Sequence, residues 1–201
     1  TTVSIGGSVT SDKEAFLVNS NYGNVNITVG GNEEIESAGN ITSGGSYTAF
    51  IEADPNSKIT FKAGDINGSN DTSSIRPEAH GDRSEVIVEV GNVTNSVGYG
   101  IQCSAEETDS VVNIKAGDIK AQGIGLAVDT KRDVYGSTED GSIYGKGGTV
   151  TANVGEINSE YNGIYASLDD GSITVNSGAI DAGYDGIDVR TTGFNSTSGV
   201  T

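Results

Sequence analysis

The chain has 201 residues, and its 28 acidic against 11 basic residues give a formal net charge of −17. Nucleic acid and anionic membrane surfaces would repel such a chain, so neither is an expected partner. No apolar run approaches the ~18 residues of a membrane span, and we expect no membrane insertion. The single cysteine, Cys103, cannot form an internal disulfide. It falls at an inward strand position, which predicts a small core residue.

A short pattern recurs along the chain and is clearest in Ser172–Val189, SITVNSGAIDAGYDGIDV. In this pattern, two apolar residues separated by one residue precede a Gly. An Ile or Val follows two residues after this Gly, and a second Gly precedes another apolar pair. When the sequence is aligned on the first Gly, successive repeats are 32, 25, 27, 26, 38 and 23 residues apart. Each repeat predicts three short strands separated by bends. The anchor glycines are Gly7, Gly39, Gly64, Gly91, Gly117, Gly155 and Gly178.

Taken in chain order, the repeats predict seven coils and two irregular stretches. The coils are Thr1–Gly23, Asn24–Ser57, Ser57–Ser84, Glu85–Ser110, Val111–Thr130, Thr149–Gly171 and Ser172–Gly193. The stretch Asn67–Ser84 is predicted as an irregular loop, in which Ile75-Arg76-Pro77 is a poor copy of the third strand. Asp129–Gly148 is the longest insertion.

The apolar residues of each coil share one face. Residues five, three and one before the anchor Gly point the same way, because side chains alternate along a strand. The first strand of the second coil is placed with Ile27 and Val29 inward. No coil can bury its apolar side alone, so the coils must stack at ~4.8 Å through parallel strand pairing. The prediction is one all-β domain over residues 1–201, a single-stranded parallel β-helix solenoid of about seven coils with loop insertions. The inward first-strand residues of the regular coils are Ile59, Phe61, Ala63, Val86, Val88, Val90, Val112, Ile114, Ala116, Val150, Ala152, Val154, Ile173, Val175 and Ser177.

The coils Gly148–Ala166 and Gly171–Val189 resemble the parallel β-helices of the pectin-lyase-like superfamily. They are most similar to the passenger and stalk regions of bacterial surface adhesins and autotransporters. The resemblance covers nearly the whole chain, and its motifs are structural. It implies a right-handed helix of three sheets in a secreted or cell-surface protein, of which we expect this chain to be a segment. The implied function is a structural or adhesive module whose partner is a glycan or protein on a host or neighbouring cell.

The same superfamily includes polysaccharide lyases and hydrolases, so a carbohydrate-active or glycan-binding β-helix is the alternative. The resemblance implies clustered carboxylates with an Arg or Lys base for a lyase, and paired Asp with a nearby His for a hydrolase. This chain has one His, and its adjacent Asp169 and Asp170 suit a turn. No catalytic constellation stands out, so we expect no enzyme activity and assign no catalytic residue.

Two stretches are the candidate partner contacts, because loops on a regular scaffold usually carry function. His80, together with Arg76 and Arg83, could bind an acidic sugar, since guanidinium groups match carboxylates. In the alternative interpretation the charges of this stretch neutralise one another in a solvated loop. The candidates in the insertion are Asp129, Lys131, Arg132, Tyr135, Asp140 and Tyr144.

Two columns of side chains are further candidates. Tyr99, Tyr161 and Tyr184 each lie one or two residues before a third-strand Gly, on three different coils, and could stack on sugar rings. Alternatively, each shields the bend beneath it. The residue after the anchor Gly forms an outward column of Asn40, Asp65, Asn92, Asp118 and Glu156. Of these, Asp65, Asp118 and Glu156 could supply oxygens to Ca²⁺. In the alternative interpretation, Asp and Asn suit the bend and hydrogen-bond the local backbone. Apart from this possible Ca²⁺, no cofactor is expected.

Overall fold

The computed structural model describes residues 1–30, 39–69, 71–107, 109–131, 147–191 and 197–201. Every regular element in these ranges is a β-strand, and every strand pairing is parallel. The described part of the chain contains no helix with the length and hydropathy needed to cross a bilayer.

The strands form three sheets, and the chain visits the sheets in turn. The first sheet contains β1 (Thr2–Ile5), β4 (Gly23–Val29), β7 (Ser57–Lys62), β10 (Glu85–Glu89), β13 (Val111–Lys115), β16 (Thr149–Asn153), β19 (Ser172–Asn176) and β22 (Thr197–Val200). The second contains β2 (Val9–Ser11), β5 (Ile41–Ser43), β8 (Ile66–Gly68), β11 (Val93–Asn95), β14 (Ile119–Ala121), β17 (Ile157–Ser159) and β20 (Ile180–Ala182). The third contains β3 (Phe16–Ser20), β6 (Tyr47–Ala53), β9 (Ser73–His80), β12 (Tyr99–Glu106), β15 (Leu126–Lys131), β18 (Ile164–Leu168) and β21 (Ile187–Thr191).

This arrangement is a parallel β-helix of seven coils followed by β22, which confirms the predicted fold class. Successive strands of one sheet belong to successive coils, as in the order β1-β4-β7-β10. Parallel neighbours from successive coils supply the hydrogen bonds that a strand of only three residues could not obtain within its own coil.

The core is the column of side chains enclosed by the three sheets. The predicted inward residues of the first sheet are buried from Ile59 through Val175, and Phe61 is the largest fully buried side chain. Ser177, in the last complete coil, is half-buried. Cys103 is 1% exposed, in agreement with its prediction as a core residue, and this burial raises the pKa of its thiol.

The stretch Asn67–Ser84 is the main correction to the prediction, because it is largely strand. It contains the end of β8 and the whole of β9, which has eight residues and pairs on both sides. Ile75 is fully buried and aligns with Ala49 and Ile101. The strand alternates as expected for one buried face, with Pro77 inward and charged neighbours outward. The Pro and the charges disguised this alternation in the sequence.

The register of the second coil also differs from the prediction. Ile27 pairs with Phe61 and Val25 with Ile59, so β4 is shifted by two residues from its predicted alignment. A shift of two keeps the same face inward, since side chains alternate with a period of two. Ile27 and Val29 are therefore both buried, as predicted, although each lies one inward position further along the coil.

Candidate functional site

Two stretches predicted separately as partner contacts meet on the outer face of the third sheet. β9 carries Arg76 and His80, and β15 carries Asp129, with β12 between these two strands. The outward side chains of β6, β9, β12, β15 and β18 are called the third-sheet face below. Those used in the argument are Phe50, Glu52, Arg76, Glu78, His80, Gln102, Ser104, Glu106, Ala127, Asp129 and Tyr165.

Arg76 is held by aromatic rings and a carboxylate. Its Nε donates to Glu78 Oε1 at 2.5 Å, and its Nη1 donates to the Tyr47 hydroxyl at 2.6 Å. Its guanidinium carbon lies 5.5 Å from the Tyr47 ring centre and 5.8 Å from that of Phe50, within cation–π range. The guanidinium is therefore fixed in direction, and two of its donors are already used within the protein.

His80 lies close to three carboxylates. Its Nδ1 is 3.0 Å from Glu106 Oε2, and its Nε2 is 3.3 Å from Glu78 Oε2 and 3.7 Å from Glu52 Oε1. The hydrogen bonds to Glu106 and Glu78 raise the pKa of His80 to about 10, against the opposing effect of burial. Burial raises the pKa of Glu78, but the hydrogen bonds from His80 and Arg76 outweigh it and lower that pKa below its ordinary value.

A groove of about 340 Å³ runs across the third-sheet face next to this cluster. Its floor is low because Ser104 and Ala127 are small, and Gln102 lies beside them in register with Ala127. Taller side chains form its sides: Arg76 and Tyr99 on one, Tyr165 on the other. The Arg190 guanidinium carbon lies 5.3 Å from the Tyr165 ring centre, and Nη2 of this arginine donates to Asp188 at 2.8 Å.

The described side chains of the third-sheet face carry more negative than positive charge. Among them, Glu52, Glu78, Glu106 and Asp129 supply four carboxylates against the two cations Arg76 and His80. An acidic sugar would meet this excess of carboxylates together with an arginine whose donors are partly used. Neutral or cationic ligands suit the face better than acidic ones.

The three candidate tyrosines fall into two groups. Tyr161 and Tyr184 stack on each other, with ring centres 5.5 Å apart and planes 3° apart, and both are exposed. Tyr99 is half-buried and belongs to the groove. By strand register it aligns with Ile124 and Asn162, one residue beyond the Tyr161 column and two coils away.

The outward Asn/Asp column forms a ladder of hydrogen bonds between coils. The backbone N–H of Asp65 donates to Asn40 Oδ1 at 2.9 Å, and that of Asn92 donates to Asp65 Oδ1 at 2.8 Å. The N–H groups of Asp118 and Glu156 continue the series at 2.8 and 2.9 Å. The predicted bonding to backbone is therefore present, but the partner is the next coil rather than the local bend. The corner ladder, as it is called below, consists of Ser8, Asn40, Asp65, Asn92, Asp118 and Glu156.

Three of the anchor glycines, Gly91, Gly117 and Gly155, leave space for this ladder. A Cβ added at Gly91 would overlap Asp65 Oδ1, and one at Gly117 would overlap Asn92 Oδ1. The Gly-Asn/Asp pair of the repeat is thus one device: the Gly leaves space for an oxygen of the preceding coil, and the next residue continues the series.

The remaining candidates are placed as follows. Arg83 is exposed in the turn after β9, with a positive φ of 58°. Lys131 ends β15, where its backbone pairs with Glu106. Arg132, Tyr135, Asp140 and Tyr144 lie outside the described residues.

Sequence reasoning missed two members of the charged cluster, Glu52 and Glu106. Each lies 26 residues from its partner in the adjacent coil: Glu52 pairs with Glu78, and His80 with Glu106. That spacing was visible in the repeat, but it identifies neighbours only after β9 is recognised as a strand. Within the described ranges, Glu52, Glu78 and His80 are also the grouping of three potential ligands whose atoms lie within 4.8 Å of one another.

No protein-family model matches the chain, and neither a curated protein nor a solved structure matches it.

Proposed function

We propose that this chain is an adhesive and structural module of a secreted or cell-surface protein, and that it binds its partner on the third-sheet face. The observation that carries the proposal is the groove of about 340 Å³ between Arg76 and Tyr165. A parallel β-helix buries a repeating core and leaves its outer faces free to vary. The groove lies where the outward side chains change in size and charge from coil to coil.

The groove chemistry favours a neutral glycan as the partner. Tyr99 and Tyr165 offer aromatic surface to sugar rings, and Gln102 and Asp129 offer polar atoms to hydroxyl groups. The negative charge of the face disfavours acidic polysaccharide. β15, whose Ala127 and Asp129 line the groove, ends at Lys131 immediately before the insertion. Arg132, Tyr135, Asp140 and Tyr144 of the insertion are therefore proposed as further contacts.

A glycan-array screen of the purified chain tests the proposal, followed by titration of any hit against Tyr165→Ala and Gln102→Ala. We expect each variant to weaken binding about tenfold, since stacking on one ring or loss of a buried polar contact is worth about 1–3 kcal/mol. Tyr22→Ala is the matched control, because Tyr22 is 84% exposed in the first coil, away from the groove. Equal binding by all variants would contradict the placement. Binding of a protein but of no glycan would change the proposed partner from a glycan to a protein.

A second experiment separates the groove from the insertion. Residues 132–146 are replaced by a short Gly-Ser linker, and the same ligand is titrated. A loss comparable with that of Tyr165→Ala would assign both to one site. Unchanged binding would remove the four insertion residues from the proposal and leave the groove as the site.

The alternative is a carbohydrate-active or glycan-binding β-helix that uses another surface. The stacked and exposed pair Tyr161 and Tyr184 favours this alternative, because two parallel rings offer a flat platform to a sugar chain. Product analysis on any array hit distinguishes cleavage from binding. Unsaturated or new reducing ends would establish an enzyme, and Tyr184→Ala would locate binding on the platform.

A further inference from the structure

The ion-pair cluster around His80 brings three potential metal ligands together. Glu52 and Glu78 face each other on β6 and β9, and His80 lies two residues beyond Glu78 on the same side of its strand. Three atoms converge: Glu52 Oε1, Glu78 Oε2 and His80 Nε2 lie within 4.8 Å of one another. All three side chains are half-buried or more, and all three project from strands rather than loops.

The second polar atom of each side chain is held by a separate neighbour. Asn19 Nδ2 donates to Glu52 Oε2 at 2.8 Å. Arg76 Nε donates to Glu78 Oε1 at 2.5 Å. His80 Nδ1 lies 3.0 Å from Glu106 Oε2. Each neighbour thus orients one of the three side chains, whose remaining polar atom points to the shared centre. Metal ligands in proteins are typically oriented by such hydrogen bonds from surrounding residues.

We propose that Glu52, Glu78 and His80 bind one divalent transition-metal ion of the zinc class. An imidazole nitrogen with two carboxylate oxygens is a ligand set for such ions, whereas Ca²⁺ and Mg²⁺ prefer oxygen alone. Three protein ligands leave a fourth position of a tetrahedral ion for water or for an oxygen of a ligand. Because Glu78 also lines the groove, that position lies at the groove margin.

The local charge favours a cation. Among the described side chains, the carboxylates of Glu52 and Glu78 lie at the shared centre, and the guanidinium of Arg76 pairs with Glu78. With a neutral imidazole, a divalent ion would supply the positive charge that the imidazolium otherwise provides. A proton on His80 is the competing occupant, so metal binding must release it and must weaken as the pH falls. The inference does not depend on the proposed adhesive function.

The test uses the whole chain, stripped of metal with a chelator and then dialysed. ZnCl₂ is titrated calorimetrically, and the imidazole ¹⁵N signals are followed by NMR. His80 is the only histidine, so those signals report the site directly and require no variant. We expect one zinc per chain and a shift of the Nε2 signal that saturates at the same stoichiometry.

Four substitutions assign the ligands. We expect His80→Gln to weaken zinc binding at least 100-fold, and Glu52→Gln or Glu78→Gln at least tenfold. Glu106→Gln, which removes only the orienting neighbour, should weaken it about tenfold. Glu89→Gln is the matched control: it removes a half-buried carboxylate paired with Lys62 at 2.7 Å on the first sheet, and it should leave binding unchanged.

Three results would each overturn the assignment. One is the absence of both heat and an imidazole shift at millimolar ZnCl₂ in the unmodified chain. The second is zinc binding that His80→Gln leaves within twofold. If CaCl₂ bound as tightly as ZnCl₂ and shifted no imidazole signal, the assignment would fail in the same way, because an all-oxygen site elsewhere would account for it.

Discussion

The corner ladder and the third-sheet face are both outward columns of one solenoid, yet they differ in how they repeat. In the ladder, every side chain from Ser8 to Glu156 is polar and those from Ser8 to Asp118 accept the N–H of the next coil. One outward column of the third sheet, which crosses the face and continues to β3 and β21, consists in turn of Leu17, Phe50, Arg76, Gln102, Ala127, Tyr165 and Asp188.

This difference indicates which polar side chains serve the fold and which do not. A side chain that serves the backbone must be of similar type in each coil, because each coil presents the same donor at the same place. A column that changes size and charge from coil to coil satisfies no common structural need. The ladder, although half of its six residues are acidic, is therefore part of the scaffold, and the irregular face is the surface on which we propose that a ligand binds.

Gly117→Ala gives the largest effect expected in the ladder. The added Cβ would overlap Asn92 Oδ1 and displace the amide that accepts the N–H of Asp118. We expect a loss of about 2–3 kcal/mol in the free energy of unfolding, measured by urea denaturation. Gly186→Ala is the control, because its Cβ would meet nothing within 4 Å; it should change stability by less than about 0.5 kcal/mol.

A double substitution shows whether the clash acts through the ladder. Asn92→Ala removes the overlapping amide, so Gly117→Ala should cost less in its presence, with a coupling of about 1 kcal/mol or more. Strictly additive losses would mean that Gly117 is needed for another reason, and the structural role of the ladder would be weakened.

The pH dependence of stability tests the other column. The pKa of His80 is raised from its ordinary value to about 10, first by Glu106 and then by Glu78. The unfolded chain releases this proton near pH 6.5, so the stabilisation is complete below that pH and is lost as the pH rises towards 10. After discounting for solvent access, we expect about 2 kcal/mol to be lost in chelator-treated protein.

His80→Gln should flatten this dependence between pH 6.5 and 10. Asp118→Asn, a change in the ladder, should leave the slope of the unmodified chain. If the slope survived His80→Gln, another group would be responsible, and the interactions of the imidazole would be worth less than the geometry indicates.

Substitutions of Asp118 show whether the ladder needs a hydrogen-bond acceptor or a negative charge at this position. Asp118→Asn keeps an oxygen acceptor for the Glu156 N–H, which donates to Asp118 Oδ1 at 2.9 Å. We expect it to change the free energy of unfolding by less than about 0.5 kcal/mol, whereas Asp118→Ala should cost about 1 kcal/mol. Thermal unfolding of both proteins with and without CaCl₂ provides the measurement. Calcium stabilisation lost in both variants would instead support the metal interpretation of this column.

The two columns were not equally predictable from the sequence. The core follows from the alternation of apolar residues, and the ladder from the Gly-Asn/Asp pair, which recurs in four successive coils. The third-sheet face depends on β9, where Pro77 and the charges of Arg76 and Glu78 suggested a loop. Its inward residues Ile75 and Ala79 do alternate with them, so the strand signal was present but outweighed.

The charged cluster around His80 could be identified only once the register of the third-sheet strands was known. Glu52 reaches His80, and Glu106 reaches it from the other side, only because adjacent coils align in the third sheet. A repeat whose spacing varies between 23 and 38 residues does not fix that alignment in advance. Side-chain direction was also out of reach: the sequence grouped Tyr99 with Tyr161, but a shift of one residue places them in different columns.

Substitution of Arg83 gives the smallest expected effect on stability. It tests whether a residue that departs from the repeat does so because it contacts the partner. This residue occupies a corner position shared with Asn56, Asp109 and Asp170, all of which have positive φ values, of 60°, 61° and 54°, against 58° for Arg83. Asn and Asp tolerate this left-handed conformation better than Arg. Arg83→Asn should therefore raise the free energy of unfolding by about 0.5 kcal/mol, measured by urea denaturation beside Lys58→Asn as a control for the lost charge. If Arg83→Asn also leaves ligand binding unchanged, Arg83 is a tolerated exception at a structural corner. If binding falls with the gain in stability, the strained arginine is kept for the partner, and the contact surface extends from the third-sheet face around that corner.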